Sequence, residues 1–218
     1  MNSQTQLIKL TGPAGVLACA VDRPASAEQG LALLCHPHPL HGGTMDNKVV
    51  QTLARAFVQL GYRCVRFNFR GVGESQGVWD EGRGEIDDAL AVLAASRDPA
   101  RPDSPIMVAG FSFGAYVASH VMQRRQQAGD ALLPGVLVGT AVTRFAVAGV
   151  PQDTLLIHGQ ADDVVPLDPV LAFAGEHQLP VTVMPGAGHF FHGQLAALRT
   201  TIQQGWLGRV ALRQLAPR

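Results

Sequence analysis

The sequence has few charged residues and no surplus of either sign. Only 16% of its 218 residues are charged, and 17 lysines and arginines balance 17 aspartates and glutamates. Proteins that bind nucleic acid or an anionic membrane surface through their overall charge carry a basic excess. The balance therefore argues against both partners. The 47% hydrophobic content predicts a folded protein with a large core.

Cysteines are scarce, and long apolar runs are missing. Cys19, Cys35 and Cys64 are an odd number in strand-like contexts, which indicates buried free thiols and a reducing compartment. No stretch approaches the roughly 18 uninterrupted apolar residues of a membrane span. The N-terminus, MNSQTQLIKL, lacks the basic and apolar regions of a signal peptide. We expect a soluble cytoplasmic protein with one domain over residues 1–218.

Apolar strands, glycine-containing turns and amphipathic helices alternate along the chain after an extended N-terminal region. Strands are predicted at 31–36, 62–69, 105–111, 135–142, 154–159 and 180–185, and helices at 46–60, 85–96, from just after Ser112 to about 127, after Pro169 and at 191–207. Several strands are nearly continuous apolar runs, which are typical of parallel strands covered on both faces. The expected fold is α/β, a mostly parallel doubly wound sheet with helices on both faces and functional loops at the carboxyl ends of its strands.

Charged residues predict where two of the helices begin. Asp46 is the expected N-cap of the first helix, and Gly61 is expected to end it. Glu85, Asp87 and Asp88 stand in the first turn of the second helix, where the helix dipole favours negative charge. Asp87 and Asp88 are therefore interpreted as surface charges.

The motif GFSFG at 110–114 lies between a predicted strand and a predicted helix. In G-x-S-x-G motifs the serine occupies a strained strand-to-helix turn, and the flanking glycines allow close backbone approach. This context predicts Ser112 as a nucleophile. The helix N-terminus directs backbone N–H groups towards a reacting carbonyl, so the N–H of Phe113 is a candidate donor to an oxyanion.

Two later strands are followed by residues that can activate a serine. Asp162 and Asp163 follow the strand at 154–159, and His189 follows the strand at 180–185. A serine hydroxyl needs a base to take its proton, and that base needs a third group to hold its tautomer. The order along the chain is Ser112, then the carboxylate, then His189.

In this order, and each after a strand, GFSFG, HGQADDVVP and GAGHFF resemble the α/β-hydrolase superfamily. Within it, the chain is most similar to short bacterial serine hydrolases without a lid, for which CHPHPLHGGTMDNKVV at 35–50 is also typical. The resemblance implies a carboxylesterase-like Ser-His-Asp triad. The family pattern H-G-x-x-D places the acid at Asp162, with Asp163 as the alternative. Only residues 143–153 separate the predicted strands at 135–142 and 154–159, the place where lids usually enter in this superfamily, so no cap domain is expected.

The same resemblance implies an oxyanion loop after the third strand of the family's sheet, which here is the predicted strand at 31–36. The family usually has H-G-x there, whereas this chain has His36, Pro37 and His38. Pro37 has no N–H to donate, so the backbone N–H of His38 is the expected second donor.

Other readings of these segments point to different chemistry. His36, His38 and His41 are potential zinc ligands, but two prolines stiffen the segment and no HExxH motif accompanies it. The segment 69–75 has a G-x-G without the third glycine of a dinucleotide fingerprint. Its Arg70 and Glu74 are interpreted as structural, and its Ser75 as not a nucleophile. No metal or cofactor is therefore expected.

The expected reaction is hydrolysis of small to medium carboxylic esters or thioesters, with a small molecule as the only partner. His158 is interpreted as a hydrogen-bonded strand-end residue and His192 as a solvated residue one turn into a helix. A peptidase or another acyl hydrolase with the same triad, and a non-catalytic binding module on the same fold, are the alternatives. The oligomeric state stays open, with a monomer as one reading.

Overall fold

A computed structural model describes residues 5–215 and contains an eight-stranded sheet in the order β1-β2-β4-β3-β5-β6-β7-β8. The first two strands form an antiparallel hairpin, β2 pairs antiparallel with β4, and the remaining pairs are parallel. The strands are β1 Gln6–Gly12, β2 Gly15–Asp22, β3 Gly30–Cys35, β4 Tyr62–Phe67, β5 Ile106–Phe111, β6 Val136–Val138, β7 Leu155–Gly159 and β8 Val181–Met184. The predicted mostly parallel sheet is confirmed.

Five α-helices connect or follow these strands: α1 Lys48–Gln59, α2 Arg83–Ser96, α3 Phe113–Gln127, α4 Leu167–Glu176 and α5 Leu195–Leu215. The apolar side chains of α1 and α5 pack on one face of the sheet, and those of α2 and α3 pack on the other. Within β3, Leu31, Leu33 and Cys35 belong to one core and Ala32 and Leu34 to the other. The unbroken apolar run of this strand follows from its burial on both faces.

Several predicted helix and strand ends differ from the structure. The N-cap of α1 is Asn47, whose side chain accepts a hydrogen bond from the Val49 N–H, and not Asp46. Asp46 instead pairs with the buried Arg66. The sixth strand is confined to Val136–Val138 because Gly139 turns the chain at a φ of 54°. The last helix begins at Leu195, so His192 lies exposed in the turn that precedes it.

The interpretation of Asp88 as a surface charge is wrong. Its side chain is fully buried, and its carboxylate accepts hydrogen bonds from the Arg70 guanidinium and from the Arg70 backbone N–H. Asp87, one residue earlier, is exposed and pairs with Arg124. The helical pattern of α2 cannot distinguish these neighbours, because the partner of Asp88 comes from the loop after β4.

The three thiols are free and buried, as predicted for Cys19, Cys35 and Cys64. They lie on β2, β3 and β4, which are adjacent strands of the sheet. Among the helices within residues 5–215, none is long and apolar enough to cross a membrane.

Candidate active site

Ser112 occupies the sharp turn between β5 and α3. Its φ of 57° and ψ of −118° are unusual for a residue with a side chain, and such a conformation costs on the order of 1–3 kcal/mol. The residue is buried with 8% of its surface exposed. The turn is thus strained at the serine itself, as the motif predicts.

The two glycines of the motif allow the backbone to close this turn. A Cβ at Gly110 would lie 2.0 Å from the Gly114 carbonyl oxygen, and one at Gly114 would lie 2.2 Å from the carbonyl oxygen of Cys35. Both distances are far below van der Waals contact. The start of α3 therefore lies directly against the end of β3, which brings the loop after β3 beside Ser112.

The structure brings Ser112, His189 and Asp162 together in one hydrogen-bonded chain. The Asp162 Oδ2 atom lies 2.7 Å from His189 Nδ1, and His189 Nε2 lies 3.1 Å from Ser112 Oγ. An ionised carboxylate only accepts hydrogen bonds, so Nδ1 carries the proton and Nε2 is free to accept from the hydroxyl. The three residues come from the loops after β5, β7 and β8, which end at the same edge of the parallel sheet.

Backbone donors hold Asp162 in a single orientation. Its Oδ1 atom accepts hydrogen bonds from the N–H groups of Val164 and Val165, at 3.0 and 2.7 Å, which leaves Oδ2 for His189. Burial acts to raise the pKa of the Asp162 carboxyl, but the hydrogen bonds from His189 and Val165 outweigh it and hold the pKa below its usual value. Asp163 is exposed, so the structure places Asp162, and not Asp163, against the imidazole.

His158, on β7, binds the loop that carries Asp162. Its fully buried ring donates from Nε2 to the Val165 carbonyl oxygen at 2.9 Å, and Nε2 lies 3.5 Å from Asp162 Oδ2. Its Nδ1 atom has no hydrogen-bond partner among residues 5–215. Burial lowers the pKa of His158 despite the Val165 carbonyl and the Asp162 charge, so the ring stays neutral. The sequence reading foresaw a bonded strand-end residue but gave no signal for the loop that it binds.

The three histidines after β3 have different environments. His36 is fully buried, its Nδ1 lies 2.6 Å from the Pro37 carbonyl oxygen, and its Nε2 accepts from the Phe69 N–H at 3.1 Å. Burial lowers the pKa of His36 to about 3, so this ring is a neutral brace between two loops. Burial and the neighbouring His41 lower the pKa of His38 as well. Within residues 5–215 no group of side chains is arranged to hold a metal ion.

The two expected oxyanion donors lie on neighbouring segments. Within the described part of the chain, the backbone N–H groups of His38 and Phe113 take part in no hydrogen bond. The ring centroids of the same two residues are 5.3 Å apart, and Gly114 packs against the carbonyl group of His36. Backbone donors that are not used within the fold are what an oxyanion site requires.

Comparisons with known proteins identify the family of this chain. The family model described as serine aminopeptidase, S33, matches residues 38–146. The uncharacterized protein RP471 of Rickettsia prowazekii is 34% identical over 193 residues, which cover 84% of this chain and 81% of that protein. The chain belongs to the α/β-hydrolase superfamily.

Solved structures of other hydrolases match nearly the whole chain. XC6422 from Xanthomonas campestris, described as an α/β serine hydrolase without lid, is 35% identical, covers 100% of this chain and 98% of its own, and superimposes with a TM-score of 0.86. An α/β serine hydrolase homologue from Coxiella burnetii is 41% identical, with coverage of 94% and 97% and a TM-score of 0.79. The predicted fold and family of this hydrolase are confirmed, and residues 139–154 join β6 to β7 without an inserted domain.

Proposed function

We propose that this serine hydrolase cleaves small to medium carboxylic esters or thioesters through an acyl-enzyme formed on Ser112. The observation that carries the proposal is the hydrogen-bonded chain from Asp162 through His189 to Ser112 at a strained strand-to-helix turn. Each member has a distinct chemical role that its contacts support.

In the first half of the reaction the Ser112 Oγ atom attacks the substrate carbonyl carbon. His189 Nε2 accepts the hydroxyl proton as the new carbon–oxygen bond forms, and the carbonyl electron pair moves to the oxygen. The N–H groups of His38 and Phe113 stabilise the resulting oxyanion. His189 then gives its proton to the leaving alcohol or thiol as the original ester bond breaks.

In the second half a water molecule takes the place of the alcohol. His189 removes a proton from this water, whose oxygen attacks the acyl carbon. The bond between that carbon and Ser112 Oγ then breaks as His189 returns the proton to Oγ, which releases the acid and regenerates the hydroxyl. Throughout, the Asp162 carboxylate holds the Nδ1–H tautomer and stabilises the imidazolium. Its two backbone hydrogen bonds fix the carboxylate while the imidazole charge changes.

The size of the expected substrate follows from the short connection between β6 and β7. Residues 139–154 have no insertion that would form a deep tunnel for a long acyl chain. An open cleft places few walls around the substrate and discriminates weakly between acyl groups of similar size.

A serine aminopeptidase is the second candidate, favoured by the description of the matching family model. Such an enzyme needs a carboxylate for the substrate ammonium group. Asp162 is already occupied by His189, whereas the exposed Asp163 is available at the same loop. If the protein is an aminopeptidase, Asp163→Asn should lose most of the activity. If it is an esterase, the substitution should change the activity little.

The decisive experiment is treatment with a fluorophosphonate followed by peptide mass mapping and an ester-hydrolysis assay. We expect Ser112 Oγ to form a bond to phosphorus with loss of fluoride, and we expect chelators to leave ester hydrolysis intact. The Ser112→Ala variant is the control and should remain unlabelled. An adduct elsewhere, or unchanged hydrolysis in the variant, would contradict the mechanism.

A further inference from the structure

Aromatic side chains gather beside Ser112 although the chain has few of them. The His38 ring centroid lies 4.6 Å from that of Trp79 and 5.7 Å from that of Phe145. All three side chains are half-buried, so each keeps part of its ring accessible. We call these three residues the aromatic shelf.

The buried ring of Phe113 joins the aromatic shelf to the nucleophile. Its centroid lies 5.1 Å from Trp79 and 4.9 Å from Phe145, and Phe113 directly follows Ser112. The shelf residues come from the loops after β4, β3 and β6, yet all three contact this one ring. The shelf is thus held in place by the first residue of α3.

The order of strands places two of the three shelf residues, His38 and Trp79, on one side of the nucleophile. The strands β3 and β4 lie on one side of β5, and β7 and β8 lie on the other. His38 and Trp79 follow the former pair, whereas Asp162 and His189 follow the latter. Phe145 follows β6, on the same side as Asp162 and His189, and its ring reaches that of His38. Ser112 therefore stands between the loops that carry His38 and Trp79 and the imidazole.

This arrangement gives the two halves of an ester different surroundings. His189 must protonate the leaving oxygen, so the alcohol half has to face the imidazole. The acyl half then extends towards the His38 and Trp79 side of the aromatic shelf. We propose that the shelf binds a planar aromatic ring on the acyl group, so that the preferred substrates are aryl-substituted carboxylic esters. This inference rests on the proposed esterase mechanism and deepens it.

The physical basis is the geometry of aromatic pairs. Rings attract one another in offset-stacked and edge-to-face arrangements at centroid separations of about 4.5–7 Å, beyond the gain from burying their surface. For the five contacting pairs among the shelf residues and Phe113, the centroid separations already fall in this range, with mixed interplanar angles of 34° to 64°. A further ring can extend this packing, whereas a saturated ring gains only from burial.

The test compares two substrates that differ only in aromaticity, ethyl 3-phenylpropanoate and ethyl 3-cyclohexylpropanoate. The saturated ring is the more hydrophobic, so burial alone favours the cyclohexyl ester. We expect the wild type to prefer the phenyl ester by about fivefold in kcat/KM. A ratio of one or less in the wild type would overturn the inference.

Variants of Trp79 locate the preference. Trp79→Leu should bring the phenyl-to-cyclohexyl ratio to about one, and Trp79→Phe should keep most of it because an aromatic ring remains. Ethyl acetate hydrolysis and fluorophosphonate labelling of Ser112 report whether each variant is folded and competent. Phe173→Leu is the matched control, since Phe173 is half-buried on α4 beside His177. An unchanged ratio in Trp79→Leu would assign the preference to another surface and refute the shelf.

Two boronic acids separate this inference from the proposed function. The inhibitors 2-phenylethylboronic acid and 2-cyclohexylethylboronic acid add to the serine without any leaving group. If esters are not hydrolysed but the phenyl compound protects Ser112 from the fluorophosphonate at lower concentration than the cyclohexyl compound, in a Trp79-dependent way, the shelf stands and the esterase proposal falls. If esters are hydrolysed with no aryl preference, the esterase proposal stands and the shelf inference falls.

Discussion

Two buried serines lie in glycine-containing loops, one after β4 and one after β5, and have nearly equal exposure, yet their hydroxyl groups are used differently. Ser75, in the loop after β4, is 6% exposed, donates to the Asn68 carbonyl oxygen at 2.7 Å and accepts from the Ala18 N–H at 2.9 Å. Ser112, after β5, is 8% exposed, and its hydroxyl has an imidazole nitrogen as partner. A hydroxyl bound to backbone groups is structural, whereas one bound to a base can react.

The backbone of the two loops differs in the same sense. Around Ser75 the positive φ angles belong to glycines, namely Gly71, Gly73 and Gly77, and a non-glycine residue, Glu81, has one (φ 53°) only farther along the loop, beside the start of α2. In the turn after β5 the positive φ belongs to Ser112 itself. Around Ser75 strain is thus relieved by glycine, whereas in the turn after β5 it is kept at the residue that we propose as nucleophile.

The largest expected effect separates the two serines by activity. By analogy with a protease triad on another fold, Ser112→Ala should lower ester turnover by about 10⁶-fold, because it removes the attacking atom. Burst and steady-state kinetics measure this change. The same assay on Ser75→Ala should give turnover close to that of the wild type below its unfolding temperature. Equal losses in the two variants would erase the distinction.

The next effect tests whether the imidazole is what makes Ser112 different. Asp162→Asn should lower kcat by about 10⁴-fold, because an amide can donate to His189 Nδ1 and favour the wrong tautomer. The exposed neighbour offers a control, Asp163→Asn, which should keep activity under the esterase proposal. A full loss in the control and none in Asp162→Asn would exchange the two carboxylates.

Ser75→Ala is expected to affect stability, although it should leave turnover nearly unchanged. Ser75→Ala removes the donor to the Asn68 carbonyl and the acceptor of the Ala18 N–H, both buried, and should lower the free energy of unfolding by about 2 kcal/mol. The half-buried Ser104, whose side chain makes no hydrogen bond within residues 5–215, supplies the control Ser104→Ala with a change below about 0.5 kcal/mol. Urea unfolding measures both. A stable Ser75→Ala variant would show that its two hydrogen bonds are dispensable.

The smallest expected effect is a pH dependence of the free energy of unfolding caused by His36, whose ring joins the loop after β3 to the loop after β4. Unfolded chains protonate His36 below its ordinary pKa of about 6.5, but the folded protein holds it neutral down to about 3. The unfolded state therefore binds more protons in this window, and acid should destabilise the fold. Between pH 7 and pH 5.5 we expect His36 to account for a loss of about 1 kcal/mol.

The comparison variant for this effect is His36→Gln, whose side-chain oxygen can still accept from the Phe69 N–H but does not titrate. Urea unfolding of both proteins at several pH values measures the difference. The difference in the free energy of unfolding between wild type and His36→Gln should change by about 1 kcal/mol between pH 7 and pH 5.5. A gap that stays constant with pH would mean that His36 does not supply the linkage.

The sequence allowed the strands and the three loops of the site to be predicted, because both depend on local signals. The runs of β3 and β5 are apolar throughout, that of β7 is apolar up to His158, and Ser112, Asp162 and His189 each lie in a loop that follows a strand. Parallel strands bring such loops to one edge of the sheet, so the assembly of the site follows from topology alone.

Features that depend on distant partners were not predictable in this way. Asp88 looks like any acidic residue in a first helical turn until Arg70, from another loop, is found beside it. Asp46 and Asn47 are equally good N-caps by residue type, and the pairing of Asp46 with Arg66 decides between them. The meeting of Trp79 and Phe145 over Phe113 likewise has no signature along the chain.

The three buried thiols provide built-in reporters of transient opening. Burial raises the pKa of the Cys19 thiol to about 12 and that of Cys35 and Cys64 further, so alkylating reagents can react only when a strand detaches from its neighbours. Because each thiol sits on a different strand of β2, β4 and β3, the order in which they are alkylated would reveal the sequence in which this half of the sheet comes apart.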